Sequence, residues 1–407
     1  MATRRDDPPA IDAAPEGTAY GRPPQSSNDL LTKVGSGTPM GELMRRYWQP
    51  VLASVNVTSR PREVRILGED LIIFRDGEGR AGLLYPRCMH RGTSLFYGHV
   101  ERDGIRCCYH GWKFDVEGNC LDQPCEPNGG TQQGRANARQ PWYPVRERYG
   151  LVWAYLGPPE RMPVLPRYDC MEPLDTGETW IAYDNSMAAH ADMNGPEVVP
   201  YSWLHMNDNV MDPFHVQVLH TTFSGTQFVD LFELMPRVAF EETAAGVLYH
   251  AHRTLPDGRE LDRVSTWLMP HGMSVPDTTL KPGRPNMLGF TVPVDDTHCR
   301  ILSTFRLPPG KGPIDPQLGM SAFKPWSEKS IEERQDQPGD YEAQAGQGAI
   351  SLHSEEHLVT SDIGIGMQRR ALARAIETVR AGGDPPGVAF DEVDALVRIP
   401  SGNFYRA

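Results

Sequence analysis

Between Pro50 and about Tyr155 the chain reads as short β-runs: VLASV, REVRIL, DLIIFR, AGLLYP and GLVWAYL, separated by Gly, Asp and Asn. The pattern predicts an all-β unit of short strands. Before it, Thr38 to Trp48 (TPMGELMRRYW) predicts a helix, with Thr38 as cap, Pro39 at its first position and Glu42 four residues after the cap. Leu156 to Pro173 holds five prolines, which favour an extended connection, so the domain boundary is placed here. Beyond it, strand patterns (TWIAYDN, VPYSWLHM, RVAFEET, GVLYHAHRT, RVSTWLMP, MLGFTVPV, CRILSTFRL) alternate with a few helical stretches. The last long helix is predicted from about Asp362 to Arg380, stopped by Gly382 and Gly383 with Pro385 and Pro386 just after. The second half thus reads as an antiparallel sheet with helices packed on it, and the whole chain as α+β. The expected division is a disordered tail over 1–28, an all-β domain with its leading helix over 29–160, a Pro-rich linker over 161–174 and a second domain over 175–407.

The 407 residues suit two domains, and 39% hydrophobic with 23% charged residues is ordinary for a soluble globular protein. A net charge of −13 argues against general binding to nucleic acid or an anionic membrane. No apolar run reaches the length of a membrane span. Met1 to Asn28 is polar and rich in Pro, Ala and Ser, without the apolar stretch of a secretory signal, so a cytoplasmic location is expected. Seven cysteines, an odd number, do not read as a disulfide framework.

Three of those cysteines, Cys88, Cys107 and Cys108, sit beside His90 and His110. Cys88 and His90 form C-x-H; sixteen residues later Cys107 and His110 form C-x2-H. Two tight pairs on separate loops suit a four-ligand metal site. A zinc finger commonly pairs Cys with Cys and His with His. Mixed pairs instead suit a Rieske [2Fe–2S] centre, in which two Cys hold one iron and two His the other. Gly92 and Gly111 after the pairs let the backbone pass close to the sulfides. Spacing alone leaves Cys108 open as a ligand; Cys107 is kept because only it leaves two residues before His110.

Residues 209–220 read NVMDPFHVQVLH. Asn209, Asp212 and His215 are three apart and would share a helical face, with Pro213 marking a local helix start. His220 falls one step off that face, so a kinked or loosened turn would bring it to the same ion. Spacing alone also suits a surface or core histidine pair. The upstream cluster motif favours a metal, because a carrier of single electrons needs an acceptor, and an iron with two His and one carboxylate is a known acceptor type.

C-x-H followed by C-x2-H with Gly111-Trp112 resembles the Rieske ferredoxin-like domain, with Cys108 standing where that family most often has Pro. The N-x2-D-x2-H-x4-H run downstream resembles the catalytic domain of Rieske non-haem iron oxygenases, and the order of the two motifs fits the oxygenase component from about Leu30 onward. The resemblance implies a helix-grip type catalytic domain, cluster ligands Cys88, His90, Cys107 and His110, and iron ligands His215 and His220. It implies that Asp212 bridges His215 to a cluster histidine of the neighbouring subunit. The family's distal Asp opens a helix, and Asp362, at the start of the last long helix, is the expected third ligand; its rivals are Glu355 and Glu356, and an Asp there also serves as an N-cap. Reductive O2 activation at the mononuclear iron would give a cis-dihydrodiol, a hydroxylated carbon or a dealkylated ether or amine. A Rieske electron carrier without this chemistry is the alternative, but it leaves the second half of the chain unexplained. The start LTKVGSGTPMGELMRRYWQPV resembles the phthalate-dioxygenase-like branch, which takes aromatic carboxylates or methoxylated aromatics. A carboxylate would want an Arg, and Arg237, Arg253 and Arg263 lie on strand patterns that could line the cavity, although solvated strand arginines are the commoner case. No nicotinamide or flavin fingerprint is present, so a separate NAD(P)H-dependent reductase is expected, with or without an intermediary ferredoxin. Family-like head-to-tail packing would make the assembly a homotrimer.

Overall fold

The structure, a computed structural model, describes residues 24–184, 196–223, 229–308, 324 and 326–406. Most of the expected tail, residues 1–23, lies outside the described residues. Its end is held: Ser26 N–H donates to Ser354 Oγ at 2.9 Å and Asn28 N–H meets His353 Nδ1 at 3.1 Å.

The first half is built of three small antiparallel sheets. Trp48–Ala53 pairs with Leu151–Tyr155, which pairs with Val145–Arg148. Arg62–Ile66, Glu69–Arg75, Ala81–Leu84 and Trp142–Tyr143 form the second sheet; His99–Glu101, Gly104–Arg106, Lys113–Phe114 and Cys120–Asp122 form the third. The leading helix, α1 (Pro39–Met44), is shorter than its pattern suggests. Thr38 caps it, accepting from Gly41 N–H, but the chain turns after Met44 so that Trp48 can enter a strand and bury its indole, donating to Pro163 O at 2.8 Å.

The second half is an eight-stranded antiparallel sheet. Its strands are β1 (Thr179–Tyr183), β2 (Arg237–Thr243), β3 (Gly246–Thr254), β4 (Glu260–Leu268), β5 (Gly272–Ser274), β6 (Met287–Asp295), β7 (His298–Leu307) and β8 (Gly402–Arg406). They run in the order β1-β7-β6-β5-β4-β3-β2, with β8 beside β4. Helices α2 (Trp203–Val210), α3 (His215–Val218), α4 (Asp340–Ala345) and α5 (Ile363–Arg380) lie in this half, with a further short helix over Ile331–Asp336 just before α4. The run VPYSWLHM is not a strand: Trp203 onward is α2. An apolar run this short carries too little periodicity to separate a buried strand from a buried helix, and tertiary contacts decide. Trp203 is fully buried, and Trp267 Nε1 on β4 donates to Asn207 Oδ1 at 2.7 Å. The last helix falls where its pattern places it, with Asp362 at its N-cap and Gly382 at φ +82° just past its end.

One continuous core runs from Leu31 to Ile399 and joins the two halves; Trp153 meets Phe290 edge-on at 5.0 Å, and His271 Nε2 shares a hydrogen bond with Gln49 Oε1 at 2.7 Å. The Pro-rich segment is extended but pinned, since Arg167–Tyr168 pairs in parallel with Leu396–Val397. Helix α5 is fastened to α2 by Arg369, which grips Asp208 at 2.6 Å and Glu356 at 2.9 Å, and by Gln368, which donates to Asn207 O. Gly364 is small because a Cβ there would stand 2.8 Å from Met211 O, so α5 packs directly against the loop that follows α2. That loop leads to the histidines.

Candidate functional site

Cys88 and Cys107 head two loops with the same local hydrogen bonding. Cys88 N–H donates to Thr93 O and Gly92 N–H to Cys88 O; Cys107 N–H donates to Trp112 O and Gly111 N–H to Cys107 O. Each glycine lies at positive φ, +77° and +73°, and a Cβ on Gly111 would come within 2.6 Å of Pro124. Both thiols are buried in a small core with Ile72, Phe74, Leu84, Leu95, Ile105 and Phe114. Burial, and then the Cys107 thiol beside it, push the Cys88 thiol well up. A buried thiol with its pKa raised is a poor nucleophile, and a metal that binds Cys88 as a thiolate offsets that cost.

The histidines form the outer half of the site. His90 and His110 rings meet edge-on at 4.6 Å, and His90 stacks on Trp112 at 4.4 Å. Burial, then the His110 and Arg91 charges, lower the His90 pKa and favour the neutral imidazole that a metal accepts. The sulfurs are paired inside and the imidazoles paired toward solvent. Among the described residues, this quartet is not among the groups whose ligand atoms converge within 4.8 Å of one another, as they would around one zinc. Two paired ends set apart suit a binuclear cluster. Cys108 is exposed, and Cys125, also exposed, reaches only the His110 carbonyl, at 3.6 Å.

The second site begins where α2 ends. The expected single helical face through Asn209, Asp212 and His215 is broken: α2 stops at Val210 and α3 starts at His215, after Pro213. From Leu219 to Phe223 the chain runs as a π-helical turn. A π turn closes i to i+5, so it re-aims His220 relative to the α-helical turn that carries His215. His215 and His220 rings accordingly meet at 5.3 Å. His215 Nδ1 donates to the Asp212 carbonyl, which leaves Nε2 free to face the site.

The carboxylate at the histidines is Asp340, the first residue of α4, and not Asp362. Asp340 Oδ1 lies 3.3 Å from His220 Nε2 and 3.8 Å from His215 Nε2. Asn209 Nδ2 donates to the same oxygen at 3.2 Å. These three residues form a group whose ligand atoms lie within 4.8 Å of one another. Burial pushes the Asp340 carboxyl up, but the charges of His220 and His215 and hydrogen bonds from His220 and Asn209 outweigh it and hold the pKa down at about 2. Asp362 is used instead as a cap: its Oδ2 accepts from Val359 N–H at 2.8 Å. Glu356 is committed to Arg369, and Glu355 accepts from Gln25. The Asp212 carboxylate accepts from Phe214 N–H at 2.9 Å and His215 N–H at 3.3 Å, with its other oxygen 3.7 Å from His215 Nδ1. Of the three strand arginines, Arg237 is exposed, while Arg253 and Arg263 are buried.

The arrangement fits its groups. Two imidazole nitrogens and one carboxylate oxygen leave positions open on an iron, and a buried cysteine pair with an outward histidine pair matches a Rieske cluster.

Comparison with known proteins agrees. Residues 47–144 match the Rieske [2Fe-2S] domain family. The chain is 55% identical over 399 residues to the phenoxybenzoate dioxygenase subunit alpha of Ectopseudomonas oleovorans, covering 98% of this chain and 96% of that one. It is 32% identical to the 5,5'-dehydrodivanillate O-demethylase oxygenase subunit of Sphingobium sp., over 92% of this chain and 85% of the relative. In fold it resembles the crystal structure of dicamba monooxygenase bound to dicamba, with TM-score 0.59 and 19% identity over 83% of this chain and 98% of that one. With two metal-ligand constellations in family order and relatives matched along nearly the whole length, the chain belongs to the Rieske non-haem iron oxygenases, as the oxygenase alpha component that carries a [2Fe–2S] cluster and a mononuclear iron.

Proposed function

We propose that this enzyme oxygenates an aromatic carboxylate of the aryl-ether type, such as a phenoxybenzoate. The observation that carries the proposal is Arg253. It projects from β3 and is 4% exposed. Its Nε donates to Leu234 O at 2.9 Å and its guanidinium lies over Phe232. With its amide turned to satisfy both groups, Gln217, between the two histidines in sequence, accepts from Arg253 Nη2 at 2.6 Å. Nη1 is buried without a hydrogen-bond partner. Burial, then Arg263, pull the Arg253 pKa down to about 10, so the group is still a cation at neutral pH. A buried cation with a free N–H is a strong partner for a carboxylate. Arg263, by contrast, is taken up by Pro276 O, Asp277 O and Asn403 Oδ1. The 55% identical relative is called a phenoxybenzoate dioxygenase, which fits the same substrate class.

The test compares Arg253→Met and Arg253→Lys with the parent enzyme on 3-phenoxybenzoate and on its methyl ester. The expected result is a KM for the acid raised about 10- to 100-fold by Arg253→Met, the size of a lost charge-assisted hydrogen bond, with Arg253→Lys milder and the ester unaffected. An unchanged preference for the acid over the ester, in a variant that keeps its cluster absorption, would remove Arg253 from the account.

In the proposed site Cys88, Cys107, His90 and His110 hold the cluster, and His215, His220 and Asp340 hold the iron. When bound, the cluster supplies electrons singly and the iron activates dioxygen. Asn209 fixes the Asp340 oxygen, and the Asp212 carbonyl fixes the His215 ring. The electrons come from a separate NAD(P)H-dependent reductase, and a cytoplasmic location follows from that supply.

A ring of subunits is also proposed. The outward imidazoles of His90 and His110 have exposed Met89 and Tyr109 beside them, with exposed Phe96 and Tyr97 further along the first loop. An apolar rim of this kind suits a protein interface. A head-to-tail contact closes as a cyclic trimer, with one Asp212 oxygen, 3.7 Å from its own His215, available to the partner's cluster histidine. Asp212→Ala should keep both metals and slow cluster-to-iron transfer severely in stopped-flow oxidation of the reduced cluster. Asp212→Asn should be milder. Light scattering should give three chains; a fully active monomer, or normal transfer in Asp212→Ala, excludes this route.

A further inference from the structure

The opposite face of the same sheet holds a second set of metal-ligating side chains. His250 and His252 alternate on β3 and so share a face, the one away from Tyr249 and Arg253. Asp262 on β4 stands directly opposite His252 in register. The two imidazoles stack with centroids 5.7 Å apart and planes 10° from parallel. His250 Nδ1 lies 2.9 Å from Asp262 Oδ2, and His252 Nδ1 lies 3.3 Å from Asp262 Oδ1. The ligand atoms of all three converge within 4.8 Å.

We propose that His250, His252 and Asp262 form a separate binding site for a divalent first-row cation such as Zn2+. Zinc bonds to imidazole nitrogen and carboxylate oxygen of about 2.0–2.1 Å place tetrahedral ligand atoms about 3.3 Å apart, and the two N–O separations stand at or just inside that edge. Hydrogen bonding alone leaves the group incomplete: Asp262 Oδ1 is buried without a hydrogen-bond partner despite its approach to His252. A cation held by Asp262 Oδ1 and one nitrogen of each ring gives that oxygen a partner and fills three tetrahedral positions. The carboxylate is nearly buried, at 11% exposure, whereas His250 and His252 are 30% and 39% exposed, so a cation reaches the site from solvent and leaves a position for water. The mixed imidazole and carboxylate set suits zinc, nickel or copper rather than calcium or magnesium. Arg237, opposite His252 on β2, is exposed and free to turn away from a bound cation. Phe404 on β8 stands opposite Asp262, so the site lies where the hairpin of β3 and β4 meets the last strand. A cation there ties these strands together, on the sheet face away from Arg253.

The test uses the iron-loaded holoenzyme, dialysed against Zn2+ at neutral pH, with zinc and iron counted per chain by elemental mass spectrometry. The expected result is one zinc per chain with no loss of iron, and a zinc absorption edge that reports two imidazoles and an oxygen. His252→Ala and Asp262→Asn should weaken zinc binding by more than the roughly 10- to 100-fold that loss of an outer-shell partner costs, with cluster absorption unchanged. Zinc should raise the melting temperature of the parent protein and not of the variants. If Asp262→Asn does not fold, the half-exposed His252→Ala decides. Absence of bound zinc, zinc that enters only as iron leaves, or equal zinc binding by His252→Ala would overturn the proposal.

Discussion

Asp340→Ala is expected to abolish turnover and to remove one iron per chain, while the cluster keeps its absorption and its two irons. Asp362→Ala is expected to retain all of the iron and nearly all of the activity. The reasons are geometric. Asp340 Oδ1 sits 3.3 Å and 3.8 Å from the two histidine nitrogens, fixed there by Asn209. A site with three protein ligands cannot hold its ion as well with two. The Asp362 carboxylate instead caps the turn before α5 through Val359 N–H, and loss of such a cap costs about 0.5–2 kcal/mol of stability. Its variant should therefore melt a few degrees earlier with its catalytic constants intact. Asn209→Ala should stand between the two, since Asp340 stays but loses the bond that aims it. Iron content by colorimetric assay, read beside cluster absorption, separates these outcomes. Full iron and activity in Asp340→Ala would show that the third ligand lies elsewhere.

Cys107→Ser should destroy the cluster, and Cys108→Ser should leave it untouched, although the two residues are adjacent. Cys107 repeats the hydrogen bonding of Cys88 residue for residue, including the glycine four positions on that donates back to the cysteine carbonyl. Its side chain lies in the same small core as Cys88. Cys108, by contrast, is exposed. With one thiol buried and the other exposed, the two cannot exchange roles without rebuilding the turn around Gly111, where a Pro124 contact leaves no room. The visible absorption and the electron paramagnetic resonance of the reduced protein read this directly. Loss of the cluster in Cys108→Ser would refute the ligand assignment.

How far the sequence reaches depends on how local each feature is. The cluster motif was legible because each cysteine–histidine pair comes from one loop, and loop geometry leaves a fixed spacing. The histidine pair was legible for the same reason, including the need for a loosened turn, which the structure supplies as the π-helical segment Leu219–Phe223. The helical face through Asn209 and Asp212 was not, because Pro213 interrupts it and each residue ends on a different task. Asp340 was hidden by distance along the chain and by ordinariness. It opens a helix, as Asp362 does, and a helix-opening Asp needs no metal to explain it. Only the fold distinguishes the one that meets the histidines. The strand pattern likewise nominated Arg237, Arg253 and Arg263 together; Arg237 proves exposed. The unused N–H that separates the other two depends on which partners β8 and the loop at 276–277 supply to Arg263. The His250, His252 and Asp262 group is half legible: alternation puts the histidines on one face, but the register of β4 against β3 places the aspartate.

The most direct test of the account is a single turnover. Enzyme reduced anaerobically through its reductase, then freed of it, is mixed with 3-phenoxybenzoate and isotopically labelled dioxygen. The account predicts an oxygenated aromatic acid that carries the label, in an amount set by the mononuclear iron content, formed as the cluster reoxidises; Asp340→Ala gives none. Reoxidation of the cluster in the parent enzyme at full iron content, with no label in any aromatic product, would contradict it.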